Sequence, residues 1–121
     1  MDTLIAAELL AALGHESRLT IFRLLVEAGP VGMNVGPIAE ATGMAPATLS
    51  FHLAHLSRVG LINSQREGRF IRYSAHYGMM DDLLAFLTQN CCQGLQAACF
   101  PKISIADTTE KRRATAGKDK S

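Results

Sequence analysis

The stretch APATLSFHLAHLSRVGLINSQREGRFIRY, residues 45–73, changes its periodicity midway. In its first half Leu49, Leu53, Leu56 and Gly60 recur at helical spacing and make one buried face. Pro46 suits the first helical position, because its ring presets φ and its missing N–H would have no partner there. Gly60 is expected to end the helix. From Leu61 the period falls to two. Leu61 and Ile62 start a strand, Glu67 and Gly68 make a turn, and Phe70, Ile71 and Tyr73 form the return strand. Arg58, Arg66, Arg69 and Arg72 cluster here against one acid, Glu67. A ribbon with a cationic tip has a natural partner in a phosphate backbone.

The segment upstream completes the motif. Residues 31–36 are Gly-rich, with room for a single brief strand over 33–35. Pro37 then opens a short helix through Thr42, closed by Gly43, whose Ile38, Ala39 and Thr42 can pack on the next helix. A short helix, a tight turn over 43–45 and a second helix make a helix–turn–helix, in which the second helix enters the major groove. With the ribbon, the expected fold is a winged helix–turn–helix, mainly α with a small β-wing.

Residues 100° apart on the second helix place Ala47, Phe51, Ala54 and Arg58 opposite the leucine stripe, flanked by Thr48, Ser50 and His55. An outward Phe51 either meets a thymine methyl or packs under the wing. Thr48 and Ser50 can donate to phosphate or base, and His55 lies within reach of the same groove. His52 lies nearer the buried side and reads as a core histidine. The candidate DNA-contacting set is therefore Ala47, Thr48, Ser50, Phe51, His55, Arg58, Arg66, Arg69 and Arg72.

The outer helices carry wide apolar stripes. Thr3 can cap a first helix bearing Leu4, Ile5, Leu9, Leu10 and Leu13, ended by Gly14. A second helix over 16–28 turns Leu19, Phe22, Leu25 and Val26 inward and Arg18 and Arg23 outward, and Gly29-Pro30 stops it. The last helix, from about Gly78 to Gln93, bears Met79, Met80, Leu83, Leu84, Phe86 and Leu87. One small core cannot use both terminal stripes, which points to a two-fold dimer built from the first and last helices. Its expected contacts are Leu4, Ile5, Leu9, Met79, Met80, Leu83 and Leu87. Such a dimer would read a palindromic DNA site.

The chain has 121 residues and a formal charge of +1, so bulk charge does not announce nucleic acid. Residues 1–100 hold six Arg and eight acids, whereas residues 101–121 hold six Lys or Arg and three acids. One domain over 1–100 and a disordered polar tail over 101–121 are expected. No apolar run approaches the ~20 residues of a membrane span, and the N-terminus does not read as a signal peptide. The expected location is the cytoplasm, with no membrane partner, where cysteines are thiols by default.

Those cysteines are concentrated. Cys91, Cys92 and Cys99 fall within NCCQGLQAAC, residues 90–99, at the end of the last helix. Three thiolates without a nearby fourth ligand make a poor zinc site but suit a three-coordinate pyramidal ion such as As(III) or Sb(III). On a continuous helix Cys92 and Cys99 would stand roughly 10 Å apart along the axis. Gly94 offers a stop that would let Cys99 turn back toward the pair. A redox switch pairing Cys99 with Cys91 or Cys92 is an alternative. An enzyme is not expected, because a nucleophilic Cys favours a helix N-terminus, and these sit at a C-terminus where the dipole raises a thiol pKa.

Three segments carry a family resemblance: LAALGHESRLTIFRLL at 10–25, IAEATGMAPATLSFHLAHLSRVGLI at 38–62, and REGRFIRYS at 66–74. Together they resemble the ArsR/SmtB family of bacterial metal-responsive repressors over residues 4–93. The resemblance implies a homodimeric winged helix that dimerises through its first and last helices. It implies binding of double-stranded DNA at an inverted repeat and release when an inducer binds. NVGPIAEATG, residues 34–43, lacks the family's familiar arsenic cysteines, the last helix lacks the Asp and His of its zinc site, and the second helix lacks the cysteine of its persulfide sensors. The remaining cluster looks like that of arsenite-responsive members with a vicinal Cys pair and a third Cys. The resemblance therefore implies As(III) at Cys91, Cys92 and Cys99, with no organic cofactor. A pair-only site would favour an organoarsenical, and an oxidant- or persulfide-sensing repressor is the remaining alternative.

Overall fold

The computed structural model describes residues 1–90, in the order α1 (Thr3–Leu13), α2 (Glu16–Ala28), β1 (Met33–Asn34), α3 (Val35–Thr42), α4 (Pro46–Val59), β2 (Ile62–Glu67), β3 (Phe70–Ala75) and α5 (Tyr77–Leu87). The fold is the expected one, mainly helical with a small antiparallel wing. Cys91, Cys92, Cys99 and the tail over 101–121 lie outside the described residues.

Residues Met1–Leu83 form one compact unit, and a second begins at Leu84. In the first, α1 packs on α2 and α4, α2 also meets α3 and β3, and α4 leads into β2. Helix α1 is capped by Asp2, not by Thr3: the Asp2 carboxylate accepts the Ile5 N–H at 2.8 Å. Asp2 precedes the first turn with extended backbone, where its oxygen reaches the third amide, whereas Thr3 is already helical. The core is lined by Leu9, Ile21, Leu25, Ile38, Leu49, Leu53, Leu56, Leu61 and Leu83, all fully or almost fully buried. On α2 the inward face is Ile21, Phe22 and Leu25, and the expected inward residues Leu19 and Val26 are exposed. Helix α2 packs against both β3 and α4, and Ile21, Phe22 and Leu25 are its buried residues.

The sheet order is β1-β3-β2, with Met33 opposite Tyr73 and Ile62 opposite Ala75. Gly32, at φ 78°, lies against β3 so closely that a Cβ there would overlap the Tyr73 carbonyl oxygen. Only glycine combines that backbone angle with that approach. Pro37 does not open α3, which starts two residues earlier at Val35. The Tyr77 hydroxyl donates to the Val26 carbonyl at 2.9 Å and ties the start of α5 to the end of α2.

In the second unit, the last turn of α5 continues into turns over 88–90, where the Thr88 hydroxyl donates to the Leu84 carbonyl at 3.0 Å. The expected dimer residues divide sharply. Leu9 is 0% exposed and Leu83 2%, so both serve the core of their own chain and offer nothing to a partner. Leu4 is 72% exposed, Ile5 and Leu87 are also exposed, and Met79 and Met80 are half-buried.

Candidate nucleic-acid interface

Helix α4 is held by the turn that precedes it. Gly43 takes a left-handed conformation, φ 74°, and its N–H returns to the Ala39 carbonyl at 2.8 Å. The Thr42 hydroxyl donates to the Ile38 carbonyl at 2.9 Å and accepts the Met44 N–H at 3.3 Å. These bonds end α3 abruptly, and Pro46 restarts the chain as α4.

Leu49, Leu53 and Leu56 are buried and fix the rotation of α4. Ala47, Phe51, Ala54 and Arg58 are exposed on the opposite side, with Thr48 and Ser50 also exposed and His55 half-buried. Phe51 does not pack under the wing: it is 64% exposed, and its aromatic contact is an edge-on approach to the His52 ring, centroids 5.5 Å apart.

His52 is 5% exposed and sits in a brace that local sequence does not announce. Its Nδ1 lies 3.4 Å from an Arg18 guanidinium nitrogen, and its ring stacks at 4.8 Å against His15 in a tilted pair. The Arg18 Nε donates to the Ala12 carbonyl at 2.8 Å, satisfying one of the orphan acceptors at the end of α1. Arg18 is therefore not a solvated outer-face residue as expected, because its planar fork reaches two acceptors that only the fold brings together. Burial holds the His52 imidazole below its usual pKa, and nearby His15, Arg18 and His55 push the same way. His55 is also held low, by burial first and then by Arg18, Arg58 and His15. A spacing of three put His15 and Arg18 on one side of α2, but their partner comes from another helix.

The wing is a two-residue hairpin, with Glu67 opposite Phe70 and the turn at Gly68 and Arg69. Arg66 and Arg69 are exposed near its tip, and an Arg66 nitrogen donates to the Gly68 carbonyl at 3.3 Å. Arg72 is placed otherwise. Its Nε and Nη2 grip the Glu67 carboxylate at 3.1 and 2.7 Å, and its Nη1 donates to the Val31 carbonyl at 3.3 Å. Those hydrogen bonds hold the Glu67 carboxyl below its usual pKa and raise that of Arg72. Arg72 thus clips the wing to the segment before β1 and is no free phosphate ligand, because the acid one turn of hairpin away claims it first. Arg58, Arg66 and Arg69 remain directed to solvent.

Among the described residues no group of three His, Cys, Asp or Glu could hold a metal ion, and no helix is long and apolar enough to cross a membrane. The surface that remains is a helix with an outward polar-aromatic face and a ribbon with exposed cations.

Comparison with known proteins gives that surface a context. Residues 13–65, spanning α2 through most of β2, match a helix-turn-helix domain family. The HTH-type transcriptional regulator YgaV of Escherichia coli is 36% identical over 87 residues, covering 72% of this chain and 86% of that protein. The transcriptional activator HlyU of Vibrio cholerae is 30% identical over 91 residues, covering 75% and 82%. A solved HlyU structure superposes with a TM-score of 0.60 at 28% identity, covering 77% of this chain and all of that one. A structure of reduced HlyU gives 0.57 at 28% identity, covering 75% and 93%. A winged helix-turn-helix DNA-binding domain from Mycobacterium bovis, described as homodimeric, gives 0.58 at 28% identity, covering 81% and 88%. With its wing, its helix–turn–helix and these relatives, the last of them described as a possible ArsR-family regulator, the chain belongs to the ArsR/SmtB family of winged helix-turn-helix transcriptional regulators.

Proposed function

We propose that this regulator is a homodimeric repressor that binds an inverted-repeat operator and releases it when As(III) binds Cys91, Cys92 and Cys99. The observation that carries the DNA-binding half is the outward face of α4, Ala47, Thr48, Ser50, Phe51 and Arg58, beside the cationic wing tip of Arg66 and Arg69. Pairing two such heads needs a dimer, and exposed Leu4, Ile5 and Leu87 supply apolar surface for one. The inducer half rests on the chemistry of three thiols within nine residues, which suits As(III) or Sb(III). Cys91 comes four residues after Leu87, the last residue of α5, close enough along the chain for ligation to act on the dimer helices and misalign the two reading heads. A coupling of about 1–3 kcal/mol between the sites is the usual scale for such release.

Binding of the reduced protein to its own upstream DNA, followed by arsenite titration, tests both halves. Release near one ion per chain, lost in Cys92→Ser while DNA binding persists, is the expected result. Failure of Cys92→Ser to bind DNA at all would make the cysteine structural.

A second reading is favoured by one relative, HlyU, which has been solved in a reduced form. In it the thiols of this chain sense oxidants or persulfide, Cys99 pairing with Cys91 or Cys92. Release by peroxide or persulfide with no response to arsenite selects this reading. Release by a methylated arsenical alone selects an organoarsenical site at the vicinal pair.

A further inference from the structure

The exposed face of α4 carries an unusual readout chemistry. Ala47, Phe51 and Ala54 follow one another along it, and no charged side chain occurs on the helix before Arg58 in its last turn. Phe51 is the most exposed large apolar residue of the helix, at 64%. A phenyl ring neither donates nor accepts an ordinary hydrogen bond, so it cannot read the polar pattern of a base edge. Only one base in unmodified DNA presents an apolar group in the major groove, thymine with its 5-methyl.

The ring is also positioned from behind. Its edge-on contact with His52 sets the two planes at 68°, and His52 in turn lies 3.4 Å from Arg18 and against the tilted His15 ring, centroids 4.8 Å apart. A chain of contacts thus runs from α2 to an aromatic side chain that reaches into solvent. Exposing so large an apolar surface without a partner is unfavourable, and the exposed cations Arg58 on the same helix and Arg66 and Arg69 on the wing match a polyanion better than an apolar protein surface.

We infer that Phe51 is a specificity-determining residue that recognises the 5-methyl group of a thymine in each half-site of the bound DNA. This rests on the DNA-binding reading above and deepens it: the flanking hydroxyls and arginines set affinity and register, whereas Phe51 selects the base. Ala47 and Ala54, small and apolar on either side of it, leave room for the ring to lie against the methyl.

The test replaces thymine by deoxyuridine, one position at a time, in the segment of upstream DNA that the reduced full-length protein protects from cleavage. This exchange removes the methyl and leaves every hydrogen-bonding group in place. Absence of any protected segment would refute the DNA-binding reading itself and is therefore separable from failure of this one. Given protection, the expected result is at least one thymine per half-site at which deoxyuridine weakens wild-type binding about fourfold, the factor for burying one methyl-sized group. At that position Phe51→Ala should bind thymine and deoxyuridine DNA equally, whereas Phe51→Leu, still apolar, should keep part of the discrimination. Unchanged thermal melting of Phe51→Ala would show that its fold is intact, as expected for an exposed side chain. Two results overturn the inference: wild-type protein indifferent to deoxyuridine throughout the protected segment, or deoxyuridine weakening wild type and a folded Phe51→Ala by the same factor.

Discussion

Arg18 ties the end of α1 to the reading helix, and Arg18→Met isolates its polar role. Methionine retains an apolar stem and removes every donor. Two acceptors lose their partner: the Ala12 carbonyl, now bonded at 2.8 Å, and His52 Nδ1, now 3.4 Å from a guanidinium nitrogen. The first is a short charge-assisted bond, worth about 1.5–3 kcal/mol when its acceptor is left unpaired. The second is longer, and because Arg18 is half-exposed the pair together should cost about 2 kcal/mol. For a domain of this size that corresponds to a fall in Tm of roughly 8–16 °C. Thermal melting followed by circular dichroism at pH 7.5 measures it. Removing the cation also takes away one of the influences that hold His52 low, so the NMR titration of its ring should move toward higher pH while burial still keeps it below the usual value. A melting temperature within about 2 °C of wild type, on the same scale, would refute the brace. An unchanged His52 titration would show that Arg18 does not act on the ring.

Further consequences follow from the same geometry. Gly32→Ala should cost about 2–4 kcal/mol, combining left-handed strain with displacement of the β1–β3 pairing. Gly43→Ala, left-handed but with open space around its Cβ, should cost only about 1–2 kcal/mol, and equal urea midpoints for the two would contradict the close approach to Tyr73. Because folded His52 and His55 resist protonation, the unfolded chain binds more protons once the pH falls below about 6.5, so their contribution is complete above that value and is lost as pH falls toward the folded pKa values. Urea midpoints should therefore drop between pH 7.5 and 5.5, and His52→Gln should flatten that drop. Glu67→Gln should release Arg72 from the wing clip, steepening the salt dependence of DNA binding by a slope of about one. An unchanged slope would mean that Arg72 stays on the Val31 carbonyl.

Much of this molecule could be read along the chain. The extent of α2, the Pro46 start and Gly60 end of α4, and the hairpin after it are local matters of period, cap and turn. So is the division of α4 into a buried Leu49, Leu53 and Leu56 face and an exposed Phe51 and Arg58 face, since a 3.6-residue period sends them to opposite sides. The family resemblance rested on the same segments, and the relatives bear out membership of the family alone.

Other features needed the tertiary structure, because they depend on which groups meet. Arg66, Arg69 and Arg72 are alike in sequence, yet hairpin register brings Arg72 alone onto Glu67 and the Val31 carbonyl. Arg18 looks like a surface residue until the end of α1 and the inner side of α4 converge on it. Leu4 and Leu9 belong to one apolar stripe, but only contact with α2 and α4 buries Leu9 and leaves Leu4 to solvent. Periodicity fixes which way a side chain points from its own helix, whereas the partner waiting there is set by segments distant in the chain.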